Sequence, residues 1–114
     1  MSKVNENDIR ELLFKLGAPT NTKGYIYLIS AIEKVIKDSS IALCTELYPE
    51  VAQECGAVSW KSVEKCMRYV INETLCNCPT EYLHDIFKGR TQVSNSKFIT
   101  CVAEYLKIRR GKNA

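Results

Sequence analysis

The chain has 114 residues, a length suited to one domain that buries its own core without disulfides or metals. With 46% hydrophobic and 25% charged residues, no low-complexity tract and no run near the roughly 18 apolar residues of a membrane span, disordered, fibrous and membrane-embedded classes are excluded. The net charge of +3 is spread unevenly: residues 1–85 carry nine Lys/Arg against twelve Asp/Glu (−3), and residues 86–114 carry seven against one (+6).

The start, MSKVNENDIRELL, lacks the apolar centre of a signal peptide, so a cytoplasmic location is expected. Reduced thiols follow from that at Cys44, Cys55, Cys66, Cys76, Cys78 and Cys101. The first helix is expected from Ile9, with Leu12, Leu13 and Leu16 at helical spacing and Asn7 and Asp8 as caps, and Gly17-Ala18-Pro19 ends it. A second, central core helix runs from about Thr22 to Asp38, carrying Ile26, Ile29, Ala31, Ile32, Val35 and Ile36. Residues Ile41 to Tyr48 read as helical, and Pro49, whose missing N–H is harmless in a first turn, starts a short helix to Cys55. Gly56 stops that helix, and Ser59 caps the next, which reaches Leu75. A fifth helix is expected from Pro79 to Phe87, closed by Gly89, and a sixth through Ile108, capped by Asn95 or Ser94. No segment alternates with a period of two, so the fold class is all-α: about six helices in a single compact domain spanning residues 1–114.

Two helices joined by a short Gly-containing link, the second longer and capped by Ser, form the layout of a helix-turn-helix, here at about residues 48–75. On a wheel of about 100° per residue, Val63, Cys66, Met67, Val70 and Thr74 gather on one side of the helix from Ser59 to Leu75. Lys61, Lys65, Arg68 and Asn72 follow at i, i+4, i+7 and i+11 on the other, flanked by Glu64. Arg and Lys donate to guanine, Asn pairs with adenine and Glu accepts from cytosine, so this stripe suits the major groove. Lys61, Glu64, Lys65, Arg68 and Asn72 are the expected base-contacting residues. Ser59, Lys88, Arg90, Ser94 and Lys97 are the expected phosphate contacts, while Arg109, Arg110 and Lys112 read equally well as a solvated tail.

The stretches LGAPTNTKGYIYLISAI, LYPEVAQECG, SVEKCMRYVI and NSKFITCVAEYLKI resemble, from Ile9 to Ile108, the C-terminal DNA-binding domain of the sporulation-initiation response regulator of endospore-forming bacteria. The resemblance implies a six-helix domain that binds a short promoter box in double-stranded DNA as tandem copies and regulates transcription, with RNA polymerase as a further partner. By position, that family's base contacts fall on Glu64, Lys65 and Arg68, with another at Ser62. The family usually carries Arg at the Lys65 position and often at Ser62, so a different preferred box is expected. Glu46, Glu50 and Glu54 lie at i, i+4 and i+8 where the family is more basic near Glu54; this face is expected either to turn away from DNA or to weaken binding. Residues 89–96 form a shorter loop than the family's, with Lys88, Arg90 and Lys97 as compensating cations. The family's phospho-acceptor receiver has no counterpart in these residues, so phosphorylation control within the chain is not expected.

Other classes have less support. Cys76-Asn77-Cys78 with His84 lacks the CxxC spacing of a zinc site, so no metal is expected, and a thiol redox switch at the same pair ranks no higher. With one His and no Gly-rich phosphate loop, no enzyme, cofactor or small-molecule substrate is expected. The competitor is a protein-interaction module on the same fold, using an exposed Trp60 and Tyr69. Packing of Trp60 into the core is the commoner fate of such a ring.

Overall fold

Asn5 starts the first helix, α1 (Glu6–Lys15), through a reciprocal box: Asp8 N–H donates to Asn5 Oδ1, and Asn5 N–H to the Asp8 carboxylate, both at 2.9 Å. The computed structural model describes residues 4–113, without the side chains of 43, 44 and 110–113; the expectations for Cys44, Arg110 and Lys112 lie outside it. The helix therefore begins ahead of the caps expected at Asn7 and Asp8, because Glu6 and Asn7 are polar and leave no apolar mark of helix. Ile9, Leu12, Leu13 and Leu16 are all buried.

Thr22 Oγ1 accepts from Tyr25 N–H at 3.2 Å and opens α2 (Lys23–Lys37), which ends where Asp38 turns extended. Tyr25, Tyr27, Leu28, Ile29, Ala31, Ile32 and Val35 bury this helix on nearly every side, as a central helix requires. Ile26 is the exception and faces outward, 51% exposed. Around α2 pack α1, α3 (Tyr48–Cys55), α4 (Trp60–Asn77) and α6 (Asn95–Asn113), while α5 (Thr80–Phe87) lies on α6. The Phe87 and Phe98 rings stack at 5.1 Å between those last two. Every regular element among the described residues is helical, so the fold is all-α with six α-helices.

Helices α2 and α4 approach closely at Gly24. A Cβ placed on Gly24 would lie 2.4 Å from the Cys66 carbonyl oxygen and 2.5 Å from Val70 Cγ2. Only hydrogen fits there, and the two backbones touch.

Residues Leu43–Leu47 form a π-turn in which Glu46 N–H and Leu47 N–H both donate to the Ala42 carbonyl, at 3.0 and 2.9 Å. The segment is helical as the sequence suggests, but wider, and it runs directly into α3 with Pro49 in the first turn. Gly56 ends α3 in the left-handed region at φ 71°, where a side chain would be strained. Ser59 Oγ then accepts from Ser62 N–H at 3.3 Å and caps α4.

The acidic stripe Glu46, Glu50 and Glu54 runs from the π-turn into α3 and lines a groove with Lys34 and Lys37 of α2. Glu54 accepts from Ser30 Oγ and Lys34 Nζ, both at 2.8 Å, and Glu46 accepts from Ala42 N–H at 2.9 Å. The Lys34 ammonium, and then the Ser30 hydroxyl, hold the Glu54 carboxyl below its ordinary value. A depressed folded-state value adds stability that is present above the unfolded value, about 4.3, and lost as pH falls through the folded one. Glu54→Gln is expected to cost less than about 1 kcal/mol, since the carboxylate is half exposed and screened. Urea titrations of both proteins should show that difference above pH 5 and its disappearance on acidification.

Candidate nucleic-acid interface

Helix α4 divides cleanly. Val63, Met67, Val70, Ile71, Thr74 and Leu75 are buried, and the Thr74 hydroxyl donates to the Val70 carbonyl at 2.6 Å, so no polar group is stranded there. Lys61, Lys65, Arg68 and Asn72 are exposed on the other face, with Ser62 and Glu64 half-buried at its edge. From Lys61 to Asn72 this face runs about 16 Å along the axis at 1.5 Å per residue. Cys66, expected in the core, is only half-buried, and Ile71 and Leu75 complete the apolar side instead. Trp60 does not form a free surface: it stacks on Tyr48 with ring centroids 6.4 Å apart, and Lys61 Nζ sits 5.8 Å from its centre. Tyr69 is exposed.

The fold brings the loop between α5 and α6 alongside this helix. Arg68, Asn72 and Cys76 line one groove with Thr91, Gln92, Val93 and Ser94. Lys88, Arg90 and Lys97 line the adjoining groove between α5 and α6, which shares Val93. Ser94, rather than Asn95, caps α6, its Oγ accepting from Lys97 N–H at 3.2 Å. Asn95 turns inward instead, and its Nδ2 donates to the Glu64 carbonyl of α4 at 3.2 Å. Ser59 and Ser94 spend their hydroxyl oxygens on caps and retain one O–H donor each.

Ion pairing separates the cations into two sets. Arg10, Lys15 and Lys34 pair with Glu6, Glu11 and Glu54 on α1, α2 and α3. Lys65, Arg68, Lys88, Arg90 and Lys97 are exposed and form no ion pair among the described residues, as is also true of Lys61 at the start of α4 and of Lys23, Lys37, Lys107 and Arg109 elsewhere on the surface. Charge without an internal partner is available to an external anion.

Lys88 carries a second signature, a left-handed backbone at φ 55° and ψ 37° in a residue other than glycine. That conformation costs about 1–2 kcal/mol for an L side chain. Lys88→Gly is expected to raise stability by about 1 kcal/mol. On a DNA-binding surface it would also lower the salt slope of binding by about 1. Urea unfolding and a salt series would register these opposite effects separately.

Among the described residues, no three His, Cys, Asp or Glu side chains converge to hold a metal ion, and no helix is long and apolar enough to cross a membrane. Cys76 and Cys78 are free thiols, and burial pushes the Cys78 thiol up, away from a reactive thiolate. A family model described as "Sporulation initiation factor Spo0A C terminal" matches residues 9–106.

Proposed function

The chain belongs to the family of sporulation initiation factor Spo0A C-terminal domains, DNA-binding domains of transcription regulation, and we propose that it reads a promoter box through α4. In this reading α3, the Gly56 turn and α4 act as a helix-turn-helix over residues 48–75. Glu64, Lys65 and Arg68 contact base edges in the major groove, with Lys61, Ser62 and Asn72 beside them. Ser59, Lys88, Arg90, Ser94 and Lys97 contact phosphates and set the register. Two copies bind adjacent boxes, RNA polymerase is the further partner, and the protein works in the cytoplasm by binding alone, without catalysis, cofactor or metal.

The observation that supports this most is the exposed polar face of α4 beside a loop of cations without internal partners. The test is fluorescence anisotropy on a duplex carrying the family-type box and on a scrambled duplex, across a salt series. The box should bind at least about a thousandfold tighter, and log K should fall linearly with log salt, by about 0.9 per phosphate contacted. Equal, weak binding to both would overturn the reading and favour a protein-interaction module at the exposed Tyr69.

A further inference from the structure

We propose that Asn95 is a positioning residue, fixing the phosphate-facing loop and the start of α6 to the turn of α4 that carries Glu64, Lys65 and Arg68. The proposal rests on the DNA-binding reading above and adds a residue that neither touches DNA in it nor lies on the polar stripe.

The first ground is connectivity. α4 and α6 each pack more extensively on α2 than on each other. Asn95 Nδ2 to the Glu64 carbonyl, at 3.2 Å and 31 residues apart in the chain, is a direct tie between them. Ser94 and the loop bearing Lys88 and Arg90 lie immediately before this tie, and Lys97 lies two residues after it.

The second ground is that the tie is a poor device for stability alone. Asn95 is 3% exposed, and its Oδ1 is buried with no hydrogen-bond partner among the described residues. A buried acceptor left unmade costs free energy that an apolar side chain of similar size would not. The Glu64 carbonyl gains little from the contact, since a mid-helix carbonyl already accepts the amide four residues on. What an amide supplies and a leucine cannot is direction: a hydrogen bond sets distance and angle, whereas an apolar contact tolerates sliding. Asn95 thus holds the phosphate contacts at one fixed offset from the base-reading turn.

Asn95→Leu separates position from stability. The variant is expected to melt at or above the wild-type temperature, because the stranded acceptor is gone. Its affinity for the box is expected to fall about tenfold, and its log K against log salt slope to become shallower by about 1 to 2, as phosphate contacts drift out of reach. A folded Asn95→Leu protein with the wild-type affinity and slope would overturn the proposal. So would a lower melting temperature with an unchanged slope, which marks a merely structural residue. If leucine does not fold, Asn95→Ala, which cannot clash, is read by the same criteria. Should the wild-type protein itself show no preference for the box, the DNA-binding reading fails and this proposal with it. Specific wild-type binding matched by the variant removes only this one.

Discussion

Replacing Gly24 by alanine is expected to lower stability by about 3 kcal/mol, the upper part of the range for an overpacked site, and the melting temperature by roughly 12 °C. The obstacle is backbone: the new methyl would meet the Cys66 carbonyl oxygen at 2.4 Å, inside α4, where it cannot rotate away without breaking its helix. Val70 Cγ2, at 2.5 Å, offers little relief, because a β-branched residue in a helix has one strongly preferred rotamer. Helix propensity works the other way and favours alanine by up to about 1 kcal/mol in a helix interior. Gly24 is only the second residue of α2, so the gain is smaller and the steric cost wins. α2 and α4 must part, which loosens the core at Leu28, Met67 and Ile71. Urea denaturation measures the loss, and a midpoint equal to wild type would refute the close approach.

Arg68→Ala is expected to do the reverse, sparing the fold and removing specific binding. The side chain is exposed and in no ion pair among the described residues, so stability should stay within about 0.5 kcal/mol. If Arg68 donates to a guanine edge, its loss costs about 1–3 kcal/mol on the matching box, roughly 5- to 150-fold in affinity. Scrambled DNA, which never satisfied the fork, should lose only a charge. Arg68→Lys makes the distinction sharper: it keeps the charge and the affinity for any duplex but not the bidentate geometry, so discrimination between box and scrambled DNA should fall. An unchanged ratio between the two duplexes in Arg68→Ala would remove this residue from the reading face.

What the sequence discloses here is what short-range physics controls. The ends of α2 follow from Thr22 and Asp38, and the link before α4 follows from Gly56 and Ser59, because caps and positive-φ sites act over a few residues. The exposed face of α4 follows from period alone. The start of α1 was legible too, in the Asn5 and Asp8 pair, but lay outside the apolar repeat. What stayed hidden depends on distant partners. The direction of Glu54 is set by Lys34 and Ser30, and the need for glycine at 24 by Cys66 and Val70. The burial of Asn95 is set by Glu64, and nothing in the run SNSKF separates the cap at Ser94 from the inward amide beside it. Which side chains meet bases depends on a partner outside the chain, so the wheel identifies the face and not the contacts.

The division of ion pairs also bears on how quickly the protein would find a duplex. A carboxylate paired with a neighbouring ammonium, as in Glu54 and Lys34, projects little field beyond the surface. Cations without such partners, as at Lys65, Arg68, Lys88, Arg90 and Lys97, remain visible out to a Debye length of about 8 Å at physiological salt. Diffusional encounter with a polyanion is then biased in orientation before any contact forms, and raises the association rate most at low ionic strength. On the DNA-binding reading proposed above, the same charges would let the protein move along nonspecific DNA, trading one phosphate for the next, and would shorten the search from three dimensions toward one.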